Sequence, residues 1–243
     1  MKKQSAVIAT IVLLVGIILC SVQYFRFVSK TVYQESVSHL TEIFQQSNRS
    51  LTELVNKNLT YLHLWSEFLQ TASSESEICD YINKAQKETE FSNFYFLSAD
   101  GNYITVTGET GYLGLQENIE DQLVQESDII TNAVLPGKPQ MIVFASPKQG
   151  IFKGFEYDAI AIAYDNADII KVLDISAFDG NASGYVIHSD GRVVIDHSSD
   201  SWGTVYNFFG ILREHSHLSE EEITKLSEEL KQGNTGAMLV ELN

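Results

Sequence analysis

The sequence predicts an α+β protein: an N-terminal transmembrane helix, a long helix, and then antiparallel-sheet modules, the second incomplete. Three observations carry this. Residues 5–25 form an uncharged apolar run, residues 30–70 contain neither proline nor glycine, and a strand–Asp-Gly turn–strand pattern occurs twice after residue 90.

The apolar run reads SAVIATIVLLVGIILCSVQYF. As a helix it is about 31 Å long, which matches a hydrocarbon core of roughly 30 Å. Lys2 and Lys3 precede it, so the positive-inside rule leaves a short cytoplasmic tail at 1–4 and the bulk of the protein extracytoplasmic at the cell membrane. A cleaved signal peptide would end in a small-x-small site, and Gly16 to Cys20 offers none.

Residues 26–90 read as a long helix followed by a short one at 77–88. Steps of four and three along the long helix meet Tyr33, Val37, Leu40, Phe44, Ser47, Leu51, Leu54, Asn58, Tyr61, Trp65 and Phe68, apolar except for Ser47 and Asn58. Such a stripe fits a parallel coiled-coil homodimer, in which buried polar positions set register. It fits equally a helix packing its apolar face on its own domain.

Residues 91–97 (FSNFYFL) read as an aromatic-rich strand, and Asp100-Gly101 turns the chain into 102–107 (NYITVT). A loop punctuated by Gly108, Gly111 and Gly114 leads to a helix at 115–126. Short strands follow at 129–134 and 141–146, then a long one at 155–164 and a helix from Asp165 or Asn166. The first module thus covers 91–175. The pattern restarts in 176–243 with a strand at 184–188, the turn Asp190-Gly191 and a return strand at 193–197. Helices at 205–214 and 219–231 follow, the latter opened by a Ser219/Glu222 capping box, and a strand at 237–242 is expected last.

Charge and motifs exclude several functions. All 32 acidic residues lie beyond residue 30, so the body is more acidic than the net charge of −16 shows and would repel nucleic acid. Cys20 and Cys79 make no disulfide framework. The three loop glycines lack dinucleotide-binding spacing, and His215 and His217 have no third ligand at a suitable offset. His188 and His197 flank the second hairpin and read as structural. No catalytic motif, metal site or cofactor site is expected, so the chain does not read as an enzyme.

The stretches FYFLSADGNYITVTG, YDAIAIAYDNADIIKVL and GYVIHSDGRVVIDHSS, in this order behind an anchor and a long helix, resemble a double Cache domain. Such domains are PAS-like sensor modules of bacterial chemoreceptors, sensor histidine kinases and membrane diguanylate cyclases. The sequence lacks the Arg-x-Trp-Tyr cluster of amino-acid-binding members, a finished second module and an output domain. The resemblance implies an extracytoplasmic region that senses a small molecule and relays to a cytoplasmic output domain. It also implies a homodimer through the long helix. An anchored binding or adhesion protein without output is the alternative.

The resemblance further implies that ligand binds the first module, on the sheet face beneath a lid at 108–126. Asp165 would be the charged contact, pairing with a ligand amine, and Tyr103, Thr105 and Tyr157 would share that face. Asp165 could otherwise serve only as the cap of the following helix.

Overall fold

The computed structural model describes residues 2–89, 91–135, 140–173, 184–188, 190–197 and 207–233. The chain divides into two units, Met1–Gln46 and Ser47–Asn243. Helix α1 spans Lys2–Thr71. In the first unit several described apolar side chains, among them Leu19, Phe25, Tyr33, Leu40 and Phe44, are exposed, while Val28, Val37 and Ile43 are partly buried. Among the described residues no helix is long and apolar enough to cross a membrane. The side chains of residues 5–13, within the expected anchor, lie outside the described ones.

The second unit is built on a seven-stranded antiparallel sheet. Its strands are β1 (Asn93–Leu97), β2 (Asn102–Thr105), β3 (Thr110–Tyr112), β4 (Gly114–Leu115), β5 (Ile129–Val134), β6 (Met141–Phe152) and β7 (Phe155–Asp165). They lie in the order β3-β2-β1-β7-β6-β5-β4. The central strand β7 alternates strictly in size: Ala159, Ala161 and Ala163 face one side, Ile160, Ile162 and Tyr164 the other. One face is therefore bulky and the other shallow.

The bulky face carries the main core. Phe94, Phe96, Ile142 and Phe144 join the β7 isoleucines beneath Leu62 and Trp65 of α1 and Ile82 of α2 (Glu75–Glu88). Trp65 meets Phe91 and Phe94 edge-on, with centroids 5.4 and 5.5 Å apart. Each such ring contributes about 1.5–3 kcal/mol by leaving water. Ser74 caps α2 by accepting from the Glu77 N–H, so that helix starts two residues before the predicted position 77.

This packing corrects part of the stripe reading. Leu51, Leu54, Tyr61 and Trp65 all pack against the molecule's own sheet. Asn58, fully buried, accepts a hydrogen bond from the Tyr164 hydroxyl at 2.8 Å. The polar stripe position thus ties helix to sheet within one chain, and only the stretch through Tyr33, Leu40 and Phe44 keeps an exposed stripe.

The loop and helix predicted over 108–126 are also redrawn. Residues 110–115 form β3 and β4, and the helix shrinks to α3 (Glu120–Val124). Glycine spacing there serves close packing: a Cβ on Gly111 would lie 2.6 Å from the Tyr103 hydroxyl.

Beyond α4 (Asn166–Leu173), strands β8 (Gly184–Ile187) and β9 (Val193–His197) form a separate two-stranded sheet, followed by α5 (Phe208–His215) and α6 (Glu220–Lys231). The repeat read in the sequence is visible bond by bond. In the first turn the N–H of Gly101 donates to the Ser98 carbonyl at 3.0 Å, and in the second that of Gly191 donates to His188 at 2.9 Å. Asp100 and Asp190 each accept from the N–H two residues on, at 3.2 and 3.0 Å. The carbonyls of Gly101 and Gly191 each accept one long-range N–H, from Leu113 and Phe208, both at 2.8 Å. Both glycines have positive φ, +86° and +87°, where side chains are disfavoured. The Ser219/Glu222 capping box opens α6 as predicted. The strand expected at 237–242 lies outside the described residues.

Candidate ligand-binding site

The shallow face of the sheet is the one the alanines of β7 create. With Ala145 of β6 and Ala133 of β5 they form a patch of small side chains, flanked on the same face by Val143, Met141 and Leu97. Over it lie Leu113 and Ile119, both essentially unexposed, from the segment 108–126. That lid is pinned at several points. The Leu113 N–H reaches the Gly101 carbonyl, and the Gln116 N–H reaches the Asn132 carbonyl at 2.9 Å. Glu117 pairs with Arg192 and stands 3.4 Å from His188 Nε2, so the lid is bridged to the second hairpin.

On this face Tyr95 lies between two further polar side chains, Tyr103 toward one end of the strands and Asp165 toward the other. Tyr95 of β1 is buried, and its ring meets that of Tyr103 edge-on, with centroids 4.7 Å apart. Burial pushes the Tyr95 phenol well above the ordinary tyrosine value, and Tyr103 and the Asp165 charge add to the shift. Asp165 is the last residue of β7 and sits opposite Met141. Its backbone N–H donates to Ser92 Oγ at 3.4 Å. Among the described residues its carboxylate makes no hydrogen bond or ion pair, so no cap on α4 occupies it.

The other two expected residues lie apart. Thr105 pairs in register with Tyr95, but its hydroxyl is engaged in its own turn, with Thr107 Oγ1 at 2.8 Å and the Glu109 N–H at 3.1 Å. Tyr157 does not share the shallow face, although it has the parity of the β7 alanines; it belongs to the helix-side core. Its ring packs on Phe96 at 4.9 Å in the helix-side core, over Gly150, where a Cβ would lie 2.4 Å from its hydroxyl. Conversely, Tyr95 reads from sequence as plain core. The available signal was parity, since β1 and β7 pair with Tyr95 opposite Ala161.

The geometry can hold a cationic group. Among the described residues the Asp165 carboxylate has no hydrogen-bond or ion-pair partner, and it lies close enough to the buried Tyr95 phenol to act on it.

No family model matches the sequence, and no curated protein matches it. Solved structures do. The extracellular domain of the histidine kinase mmHK1S-Z3 superposes with a TM-score of 0.53 at 12% identity, over 82% of each chain. The ligand-binding domain of the Pseudomonas aeruginosa amino acid chemoreceptor PctC, solved in complex with GABA, superposes with a TM-score of 0.52 at 13% identity, over 74% of this chain and 82% of that one. This chain has the fold of these sensory domains. The Cache-like, PAS-like fold implied by the three sequence stretches is therefore the one observed.

Proposed function

We propose that this chain is the extracytoplasmic ligand-sensing region of a bacterial membrane signalling receptor, a recognition module rather than an enzyme. Residues 5–25 anchor it in the cell membrane with Lys2 and Lys3 inside, and it relays binding to a cytoplasmic output domain. The exposed apolar side chains of the first unit support the anchor, because such a surface is costly in water. The exposed stripe through Tyr33, Leu40 and Phe44 supports a homodimer through that part of the long helix.

One observation carries the ligand reading: among the described residues the Asp165 carboxylate has no hydrogen-bond or ion-pair partner, and its charge acts on the buried Tyr95 phenol. A buried ammonium–carboxylate pair discriminates well, since removing one partner costs about 3–5 kcal/mol. The ligand is thus a small amine, of which the GABA bound by the PctC domain is one kind. Thr105 lies along the same floor, and Tyr157 supports it from the opposite core.

The full chain in nanodiscs is screened with small amines, amino acids and carboxylates by thermal shift. Amines are expected to raise Tm, and Asp165→Asn to abolish the rise. A hit that binds this variant with full affinity overturns the assignment. Reporter fusions near residue 90 test orientation: activity of a cytoplasm-only reporter there refutes the extracytoplasmic placement.

A further inference from the structure

A cavity of about 190 Å³ lies on the opposite face of the sheet from Asp165, where α1, the sheet, α4 and the second hairpin meet. Its walls are aliphatic and aromatic, with Leu51 of α1, Phe144 of β6, Ile169 of α4 and Val194 of β9 among them, and among the described residues His188 is the one polar side chain lining it. Leu51, Val186 and Val194 are only partly buried, although all three pack against the main core. Their remaining apolar surface borders this space. An apolar cavity of roughly 150 Å³ stays dry and takes a benzene-sized molecule. This one is somewhat larger.

A second observation gives the occupant a polar handle. Asn132 stands opposite Ile142, another lining residue, and its Nδ2 donates to the carbonyls of Val193 and Val194, both at 3.1 Å. The side chain is almost wholly buried, yet its Oδ1 has no hydrogen-bond partner. A buried acceptor without a donor is disfavoured, and a ligand N–H or O–H would satisfy it. Among the described residues no lysine or arginine lines the cavity to hold an anion, and no carboxylate lines it to hold a cation.

We propose that this cavity is a second binding site, for a small uncharged apolar molecule with a single hydrogen-bond donor, about the size of indole. The apolar body fills the space between Leu51 and the sheet, and the donor meets Asn132 or His188. The site is independent of the amine site, being on the other face of the sheet. Its occupant touches α1 directly, so it would tighten the packing of that helix on the sheet.

Indole is titrated by calorimetry into the full chain in nanodiscs, with empty nanodiscs as reference and benzene as the probe lacking a donor. Saturable one-to-one binding is expected, with a higher Tm, and benzene should bind more weakly. Leu51→Trp and Val186→Phe each fill the cavity and should weaken indole at least about tenfold, which is 1.4 kcal/mol. Asp165→Asn should leave indole affinity unchanged, whatever it does to amines. The proposal is overturned if indole does not saturate, if either folded filling variant binds it as the parent chain does, or if Asp165→Asn removes it. Benzene binding as tightly as indole overturns the role given to the donor.

Discussion

The hydroxyl of Tyr164, on β7, donates to Oδ1 of Asn58, on α1, across 106 residues of chain and at full burial. The bond links the long helix to the central strand at the level where Trp65 and Leu62 pack. Asn58 Nδ2 has no hydrogen-bond partner, so Asn58 is already one bond short.

Tyr164→Phe should therefore destabilise the second unit by about 1–3 kcal/mol, because it leaves a second buried polar atom unpaired. The double variant Asn58→Leu with Tyr164→Phe should recover much of that loss. Denaturant unfolding of the single and double variants measures the coupling.

Stability should fall in alkali. The Tyr95 phenol is raised above its ordinary value by burial, as is that of Tyr157. For such groups the unfolded chain binds fewer protons above about pH 10, so their stabilising effect is complete below that pH and is lost as pH rises further. Tyr95→Phe should flatten the decline, which unfolding curves between about pH 8 and pH 11 will show.

The two Asp-Gly turns should respond alike to substitution. Gly191→Ala places a Cβ 2.3 Å from the Phe209 ring and Gly101→Ala places one 2.8 Å from the Leu113 carbonyl, both at positive φ. Each should cost more than about 1 kcal/mol in thermal unfolding. Gly154→Ala, at φ +76° with open space around it, should cost less.

Ser219→Ala removes the hydroxyl half of the α6 capping box, the acceptor of the Glu222 N–H, and leaves the backbone N–H of residue 219 bonded to the Glu222 carboxylate. The expected loss is about 1 kcal/mol, read by thermal unfolding. Ligand binding at the first module should not change.

Disulfide crosslinking separates the two uses of the apolar stripe. Leu40→Cys, at an exposed position, should crosslink between chains under oxidation if the dimer forms through α1. Leu51→Cys should not, because that side chain packs on its own sheet.

Local chemistry alone determined much of this protein. Alternation in FEYDAIAIAYD determined a strand with one shallow and one bulky face, the Asp-Gly pairs determined two equivalent turns, and Ser219 with Glu222 determined a helix start, because each depends on residues close in the chain. The tertiary structure decided what those faces meet. A heptad stripe carries no mark of its partner, and only the packing shows that Leu51 and Trp65 spend theirs on the sheet. Tyr157 has the parity of the β7 alanines yet packs on Phe96 in the helix-side core, so alternation alone misplaces it. Asp165 was visible as an acid at a strand end, but that its charge reaches Tyr95 depends on β1 pairing with β7, a contact between segments some 70 residues apart that no local pattern encodes.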